Sequence, residues 1–282
     1  MTWWYINIGI AGTMVFYYKG LKIVIYLLGM RETPESITIG GEEFFYEKIL
    51  KDDFFSVNVL YKSEGGLRYV LKLSDFRFIF GVFLRPLAQF FSRREYRIYE
   101  KIKDIPGVPA LGPRFGKRGY FHFFIEGITL HEYKGVLPDD FFSNLKEIID
   151  EVHRRRIFYL DLNKLGNIIV GTDNKPYLID FQVSVYFKPV KWFFIGKVID
   201  WIFNKLIRED IYHLYKHKKR FRSDLITPDE LSLTKRTGFN KWYNLLFGQP
   251  YRKVKRLIYP SGSNEIIWYK WRKVKDKSKT MP

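Results

Sequence analysis

The chain contains no cysteine, which excludes disulfide frameworks, thiolate metal sites and a cysteine nucleophile. Histidine is scarce: five are scattered at His122, His131, His153, His213 and His217, a poor supply for a zinc site. His213 and His217 stand four apart, but among Lys216, Lys218 and Lys219 they read as part of a basic, solvated helix face. Long apolar runs are also lacking. Trp3–Tyr18 is mostly apolar, with Asn7 inside it and Lys19 and Lys22 behind it, and it falls short of the roughly 20 residues that a membrane-spanning helix needs. It has neither the leading basic residues nor the small-residue cleavage site of a secretory signal. A span reached only by counting on to Leu28 and burying two lysines, a membrane-contacting hairpin, a strand pair, and an extension ahead of a functional start at Met30 remain open for it. There are no internal repeats and no low-complexity stretches.

What is present is a large apolar content. Of 282 residues, 46% are hydrophobic and 19% aromatic, too apolar for a disordered protein and enough for one large or two small domains. The formal charge of +18 is unevenly placed. Up to Phe187 there are 25 basic and 22 acidic residues, net +3; beyond it there are 23 and 8, net +15. Runs such as Lys216–Arg222, Arg252–Arg256 and Lys270–Lys279 are suited to meet anions, whether membrane, nucleic acid or polyphosphate. Solubility alone is the plainer explanation.

Pattern and punctuation give a coarse layout. Extended signals dominate from Ile37. Phe54–Tyr61 and Leu67–Leu73 are strand-like runs joined by a Ser63-Glu64-Gly65-Gly66 turn. Pro86 opens a helix to about Lys103, stopped before Ile105-Pro106-Gly107. Gly119–Ile125 reads as a strand ended by Gly127. A helix follows from Asp139 to about Arg156, with Phe142, Leu145, Ile149 and Val152 on one face. Asn167–Val170 and Tyr177–Ile179 are short strands, and Lys191–Arg208 is an amphipathic helix. The layout is a small sheet region followed by a helical one.

Between the two short strands lies a turn-rich segment, Gly171–Pro176. Folding there, about a centre between Asp173 and Asn174, sets Asn167 and Asp180 side by side at the open end of a hairpin. An amide oxygen and a carboxylate so placed suit a hard cation such as Mg2+. Asp161 lies six residues before Asn167 in the loop Tyr159–Asn167 (YLDLNKLGN) and is free to accept a proton. An ordinary hairpin with a polar end is the simpler alternative. Two further residues break apolar patterns. Lys72 sits inside the strand Tyr69–Leu73, where it can snorkel to solvent. Glu95 falls on the apolar stripe Leu87, Phe91, Ile98 and Ile102, where a carboxylate wants a cation partner; Glu100 lies off that stripe.

The order Lys72, Glu95, Asp161, Asn167, Asp180 resembles the protein-kinase-like superfamily, most closely its bacterial lipopolysaccharide-kinase and atypical serine/threonine (RIO-like) kinase branch. The specific part is Glu151–Phe181 (EVHRRRIFYLDLNKLGNIIVGTDNKPYLIDF), similar to the catalytic loop and the metal-binding Asn and Asp-Phe-Gly region of those enzymes. Ile49–Gly127 resembles their N-lobe, with Gly107-Val-Pro109 and Ile125-Glu-Gly127 near the hinge. The likeness covers about residues 45–187. It implies that Lys72 holds the α/β-phosphates of ATP, that Glu95 orients Lys72, that Asp161 is the catalytic base, and that Asn167 and Asp180 bind Mg2+.

The sequence also departs from that pattern. Tyr159-Leu160 replaces the usual His-Arg, and Asn167 lies six rather than five residues after Asp161. Gln182 stands where the Asp-Phe-Gly glycine is expected. Lys51–Asn58 occupies the place of a glycine-rich loop, and no Ala-Pro-Glu element follows Phe181. Without an activation segment there is no platform for a protein substrate, which favours a sugar or lipid acceptor or autophosphorylation.

The resemblance therefore implies a two-lobed α+β protein-kinase-like fold. An apolar extension (1–36) precedes a β-rich N-lobe (37–125), a mainly helical C-lobe (126–269) and a basic tail (270–282). The expected activity is ATP- and Mg-dependent phosphoryl transfer to a hydroxyl of a lipopolysaccharide sugar, a lipid or a Ser/Thr side chain. A membrane-associated pseudokinase scaffold is the alternative, and nucleic acid ranks below both for want of a recognition motif. Trp192, Trp201 and an apolar strip of Phe194, Ile195, Val198, Ile199, Ile202 and Leu206 sit among Lys191, Lys197, Lys205 and Arg208. That combination suits an in-plane helix and leads to the expectation of a cytoplasmic protein held at the inner face of an anionic membrane. Packing of the strip on the C-lobe is the equally physical alternative.

Overall fold

In the computed structural model, residues 33–52, 56–75 and 84–235 are described, together with the backbone of three strands nearer the N-terminus. Those strands, β1 (Tyr5–Ile8), β2 (Thr13–Tyr18) and β3 (Leu21–Tyr26), form an antiparallel sheet of their own. Within the apolar stretch, residues 5–8 and 13–18 are thus paired strands. No helix among the described residues is long and apolar enough to cross a membrane. The expectations for Met30, the strand start at Phe54, the basic run Arg252–Arg256 and the tail from Lys270 lie outside the described residues.

The chain divides into two compact units. One holds Met1–Arg93 and Gly112–His122; the other holds Arg94–Leu111 and the described chain from Phe123 on. The first is built on a six-stranded sheet. In chain order its strands are β4 (Ser36–Ile39), β5 (Glu42–Asp52), β6 (Ser56–Ser63), β7 (Arg68–Ser74), β8 (Leu111–Phe115) and β9 (Gly119–Phe123). They lie in the order β4-β5-β6-β7-β9-β8. The β6–β7 hairpin follows from the glycine turn: Gly66, at φ 88°, donates to the Ser63 carbonyl (3.0 Å), and the Ser63 Oγ accepts from Leu67 N (3.2 Å). One face buries Ile37, Phe44, Val57, Val59, Tyr61, Leu71, Leu73 and Phe121, with edge-on ring contacts such as Phe44–Tyr69 at 5.1 Å. β8 carries Gly112 and Pro113, and its place at the end of the sheet accounts for a proline being tolerated there.

Helix α1 (Arg85–Ile102) runs close to its predicted limits. Its buried face is rotated from the predicted stripe. Leu87 is exposed and Phe91 half-buried, while Ala88, Ser92, Glu95, Ile98, Tyr99 and Ile102 are buried. In the second unit α2 (Phe141–Arg154) buries Phe142, Leu145, Ile149 and Val152, as the periodicity predicts. A second small sheet has the order β10 (Gly127–Thr129), β12 (Ile168–Gly171), β13 (Pro176–Leu178). Gly127 therefore opens a strand rather than ending one. At φ 156° it lies so close to Val170 that a β-carbon would collide with the Val170 carbonyl. β11 (Ile157–Phe158) pairs with β14 (Val185–Tyr186).

Helix α3 (Phe193–Phe221) is 29 residues long and continues 13 residues past the predicted end at Arg208. Its C-terminal half buries one side, which includes His213 and His217, so these histidines are core residues and not a solvated face. The short α4 (Pro228–Leu233) starts with a full capping box between Thr227 and Glu230.

Candidate active site

The β12–β13 hairpin sets the first geometric relation. Ile168 pairs with Leu178, Ile169 with Tyr177 and Val170 with Pro176, and Ile179 N donates to the Asn167 carbonyl (3.0 Å). The hairpin thus folds about Asp173, so Asn167 faces Ile179 and Asp180 lies one residue further along. The shift from the predicted register comes from the turn. Its residues 172–174 end in Asn174 at φ 61°, and the Asp173 carboxylate accepts from Lys175 N (3.1 Å).

Asn167 and Asp161 meet directly. Asn167 Nδ2 donates to the Asp161 carboxylate (3.0 Å) and reaches the Asp161 carbonyl (3.3 Å). This commits the amide nitrogen and leaves the amide oxygen as the end suited to a hard cation. Lys164 Nζ donates to the same Asp161 oxygen at 2.6 Å. Asp161 is 9% exposed, and its carboxyl is pushed above the usual carboxylate range. Burial is the main cause; Lys164 opposes it, and the Asp180 charge adds to it. Asp180 is close enough to act on both Asp161 and Tyr159. Three of the five predicted residues therefore share one locale in the second unit.

The backbone here is held away from its easiest conformations. Leu160 sits at φ 72° and Asp180 at φ 64°; a bulky residue such as leucine in the left-handed region costs of order 1–2 kcal/mol. The brace is Asp210, on α3 and fully buried. One of its oxygens accepts from Tyr159 N (3.0 Å) and His153 Nε2 (2.9 Å), the other from Leu160 N (3.0 Å). A buried carboxylate with three donors is stable where an unpaired one is not. Tyr159 is itself locked. Its hydroxyl donates to the Ile179 carbonyl, its carbonyl accepts from Ser184 Oγ (3.0 Å), and burial drives its pKa far up. Phe181 is edge-on to both Tyr99 and Tyr159 at 5.0 Å.

After Phe181 the chain is tied by Arg94, whose guanidinium donates to the carbonyls of Gln182 (3.4 Å), Val183 (3.5 Å) and Ser184. His217 Nε2 donates to the Leu162 carbonyl (2.8 Å), and burial lowers its pKa to about 4. The catalytic-loop candidate is thus fastened at Tyr159, Leu160 and Leu162 from one helix.

Lys72 is 3% exposed on β7 of the first unit, which excludes snorkelling to solvent; Glu95 is fully buried on α1, within the second unit. Sequence reasoning missed Asp210, His153, Ser184, Arg94 and Lys164. Asp210 carried the same signal that singled out Glu95, an acid on an apolar face seven residues past Phe203. A cavity of about 570 Å³ in the second unit, lined in part by Gly107, Ile148, Glu151 and Tyr177, contains none of the five predicted residues.

The chemistry of the cluster fits a small hard cation. Asn167 and Asp180 offer two oxygen donors, no group of three His, Asp or Glu among the described residues competes as a metal site, and Mg2+ takes few protein ligands, keeping waters and phosphate oxygens.

Neither a protein-family model nor a curated protein sequence matches the chain. Among solved structures it is similar to the Rio2 kinase of Chaetomium thermophilum, in its ADP/Mg2+-phosphoaspartate complex, at 14% identity and a TM-score of 0.46. That similarity covers 70% of this chain and spans 60% of the other.

Proposed function

We propose that the chain is an ATP- and Mg2+-dependent phosphotransferase acting on a hydroxyl acceptor. The observation that carries the reading is the state of Asp161. It is buried, raised in pKa, bonded to Asn167, and seated on a strained loop braced by Asp210. A carboxylate tuned upward in a rigid frame is what a proton acceptor needs. In this reading Asp161 takes the proton of the attacking hydroxyl, Lys164 steadies negative charge beside it, and Asn167 and Asp180 supply the cation's protein oxygens. Mg2+ bound there would neutralise charge on the ATP phosphates. Lys72 as phosphate ligand and Glu95 as its orienting partner rest on the sequence resemblance.

The absence of an Ala-Pro-Glu element favours a sugar or lipid hydroxyl, such as one on a lipopolysaccharide core, over a protein substrate. ATP turnover by the purified chain against lipopolysaccharide core, membrane lipid and generic protein acceptors tests this. Asp161→Asn should lower transfer at least about 100-fold, the usual contribution of a general base, while ATP binding persists; Lys72→Met should weaken ATP binding. Transfer should also fall as pH drops through the raised Asp161 pKa, since the protonated carboxyl accepts nothing. Turnover by Asp161→Asn within a few-fold of the parent sinks the assignment. A second reading, a nucleotide-binding scaffold without transfer, draws on Gln182 in place of glycine and on the engagement of Asp161 by Lys164. MgATP binding with no turnover on any acceptor would favour it.

A further inference from the structure

We propose that the outward face of the N-terminal half of α3 is a docking surface for an anionic lipid bilayer. This inference does not depend on phosphoryl transfer.

The two halves of α3 differ. Towards its C-terminus the helix buries Asp210, Tyr212, His213, Leu214, Tyr215 and His217. Towards its N-terminus only Phe203 is buried, against Phe187 at 5.2 Å and beside His153 at 6.4 Å. Here the strip read from sequence splits in two. Ile199 and Leu206 are half-buried on the same side as Phe203 and anchor the helix, and Ile202, also half-buried, lies at the border. Val198, exposed, flanks the opposite side, which presents Phe194 at 82% exposure and Trp201 at 57%; Ile195, exposed, lies at the border, and Trp192, just ahead of the helix, is at 74%. Large apolar side chains contiguous on one outward face require an explanation that single exposed ones do not.

The charges on that face identify the occupant. At 100° per residue, Lys197, Lys205 and Arg208 share the arc of Phe194 and Trp201, opposite Phe203. Lys188 and Lys191 precede the helix and are exposed. Lys197 stands 4.0 Å over the Phe193 ring and Lys205 5.8 Å from that of Trp201. The only acid among the exposed residues of this half is Asp200, and it is already paired with Arg156 at 2.6 Å. Aromatic and aliphatic groups interleaved with long cationic side chains match the headgroup–acyl boundary of an anionic leaflet, where rings enter and ammonium groups reach the phosphates. Ile195 and Val198 offer nothing for base stacking, which disfavours single-stranded nucleic acid. A second copy of this chain would bring a facing row of lysines.

The full chain should float with phosphatidylcholine vesicles doped with phosphatidylglycerol and not with phosphatidylcholine alone, and added salt should weaken that binding. Lys197→Gln with Lys205→Gln should weaken it about thirtyfold, at about fivefold per cation. Phe194→Ser with Trp201→Ser should abolish it while circular dichroism and Tm stay unchanged, since both side chains are exposed. Equal flotation with neutral vesicles, or undiminished flotation of either double variant, overturns the proposal. So does concentration-dependent self-association without lipid that the Phe194/Trp201 pair abolishes, which would make this face an interface between copies. RNA retention in a gel shift lost with the same pair, in the absence of flotation, would equally overturn it.

Discussion

Asp210→Asn is the substitution that most directly tests how the candidate loop is held. The parent carboxylate accepts three hydrogen bonds, two on one oxygen and one on the other. An asparagine can turn its single oxygen towards Tyr159 N and His153, but its amide nitrogen then faces Leu160 N, donor against donor. One buried N–H is left unpaired, at a cost of about 1–3 kcal/mol, and the remaining bonds lose their charge assistance. Because Leu160 is held at φ 72°, the freed residue will also relax and displace Asp161 beside it. For a chain of this size about 2 kcal/mol lowers Tm by roughly 4–8 °C. Phosphoryl transfer should fall more steeply than stability, since positioning errors of about 1 Å cost about a hundredfold. Asp200→Asn serves as the comparison. It removes an ion pair whose carboxylate is 53% exposed, and pairs of that kind contribute little. Thermal melts and turnover should therefore separate the two variants. If Asp210→Asn melts within a degree of Asp200→Asn and retains full turnover, the bracing argument is wrong.

Asp180→Ala should remove the MgATP-induced rise in Tm, because Asp180 is the charged member of the oxygen pair; an unchanged shift contradicts a shared cation site. His217 is held neutral, with its pKa lowered from 6.5 to about 4, so the unfolded chain binds the extra proton and stability is lost as pH falls from about 6.5 towards 4. The loss approaches about 3 kcal/mol at 1.36 kcal/mol per pH unit, and denaturant titrations of His217→Gln should show a flatter pH dependence. Gly107 sits at φ 89° with Ile148 where a β-carbon would go, and its carbonyl accepts from Leu178 N at 2.8 Å. Gly107→Ala should lower Tm by several degrees, and an unchanged melt would show that the loop relaxes freely.

The elements most legible in the sequence were those with both a period and punctuation. α2 has four apolar residues at helical spacing and Pro138 before it; the β6–β7 hairpin has its paired glycines. Where punctuation misled, the environment explains why. Gly112 and Pro113 hide β8, an edge strand that needs neither full pairing nor β-branched residues. Lysines at 216, 218 and 219 hide the second half of α3, whose buried face is made mostly of Tyr212, His213, Tyr215 and His217, with Leu214 as its one aliphatic residue. Within the site, Asp161 and Asn167 could be found because they lie close along the chain. Asp210 is marked locally only as an acid on an apolar face; the loop it serves lies about 50 residues away, and nothing near Asp210 in the chain points to it. The one-residue register shift shows the limit of symmetry arguments, since the left-handed Asn174 moved the centre of the hairpin.

The interrupted path of the chain through the first unit has a consequence for synthesis on the ribosome. β7 ends at Ser74, but its neighbour in the sheet, β9, begins at Gly119, 45 residues later. At about 5–20 residues per second, that interval lasts about 2–9 s. Throughout it, β7 stands as an open edge with Val70, Leu71 and Leu73, all buried in the finished protein, uncovered. An apolar edge left open for seconds invites pairing with other nascent chains. Yield in cells should therefore depend on how fast residues 75–122 emerge and on chaperones that shield the nascent edge, more than on the stability of the completed fold.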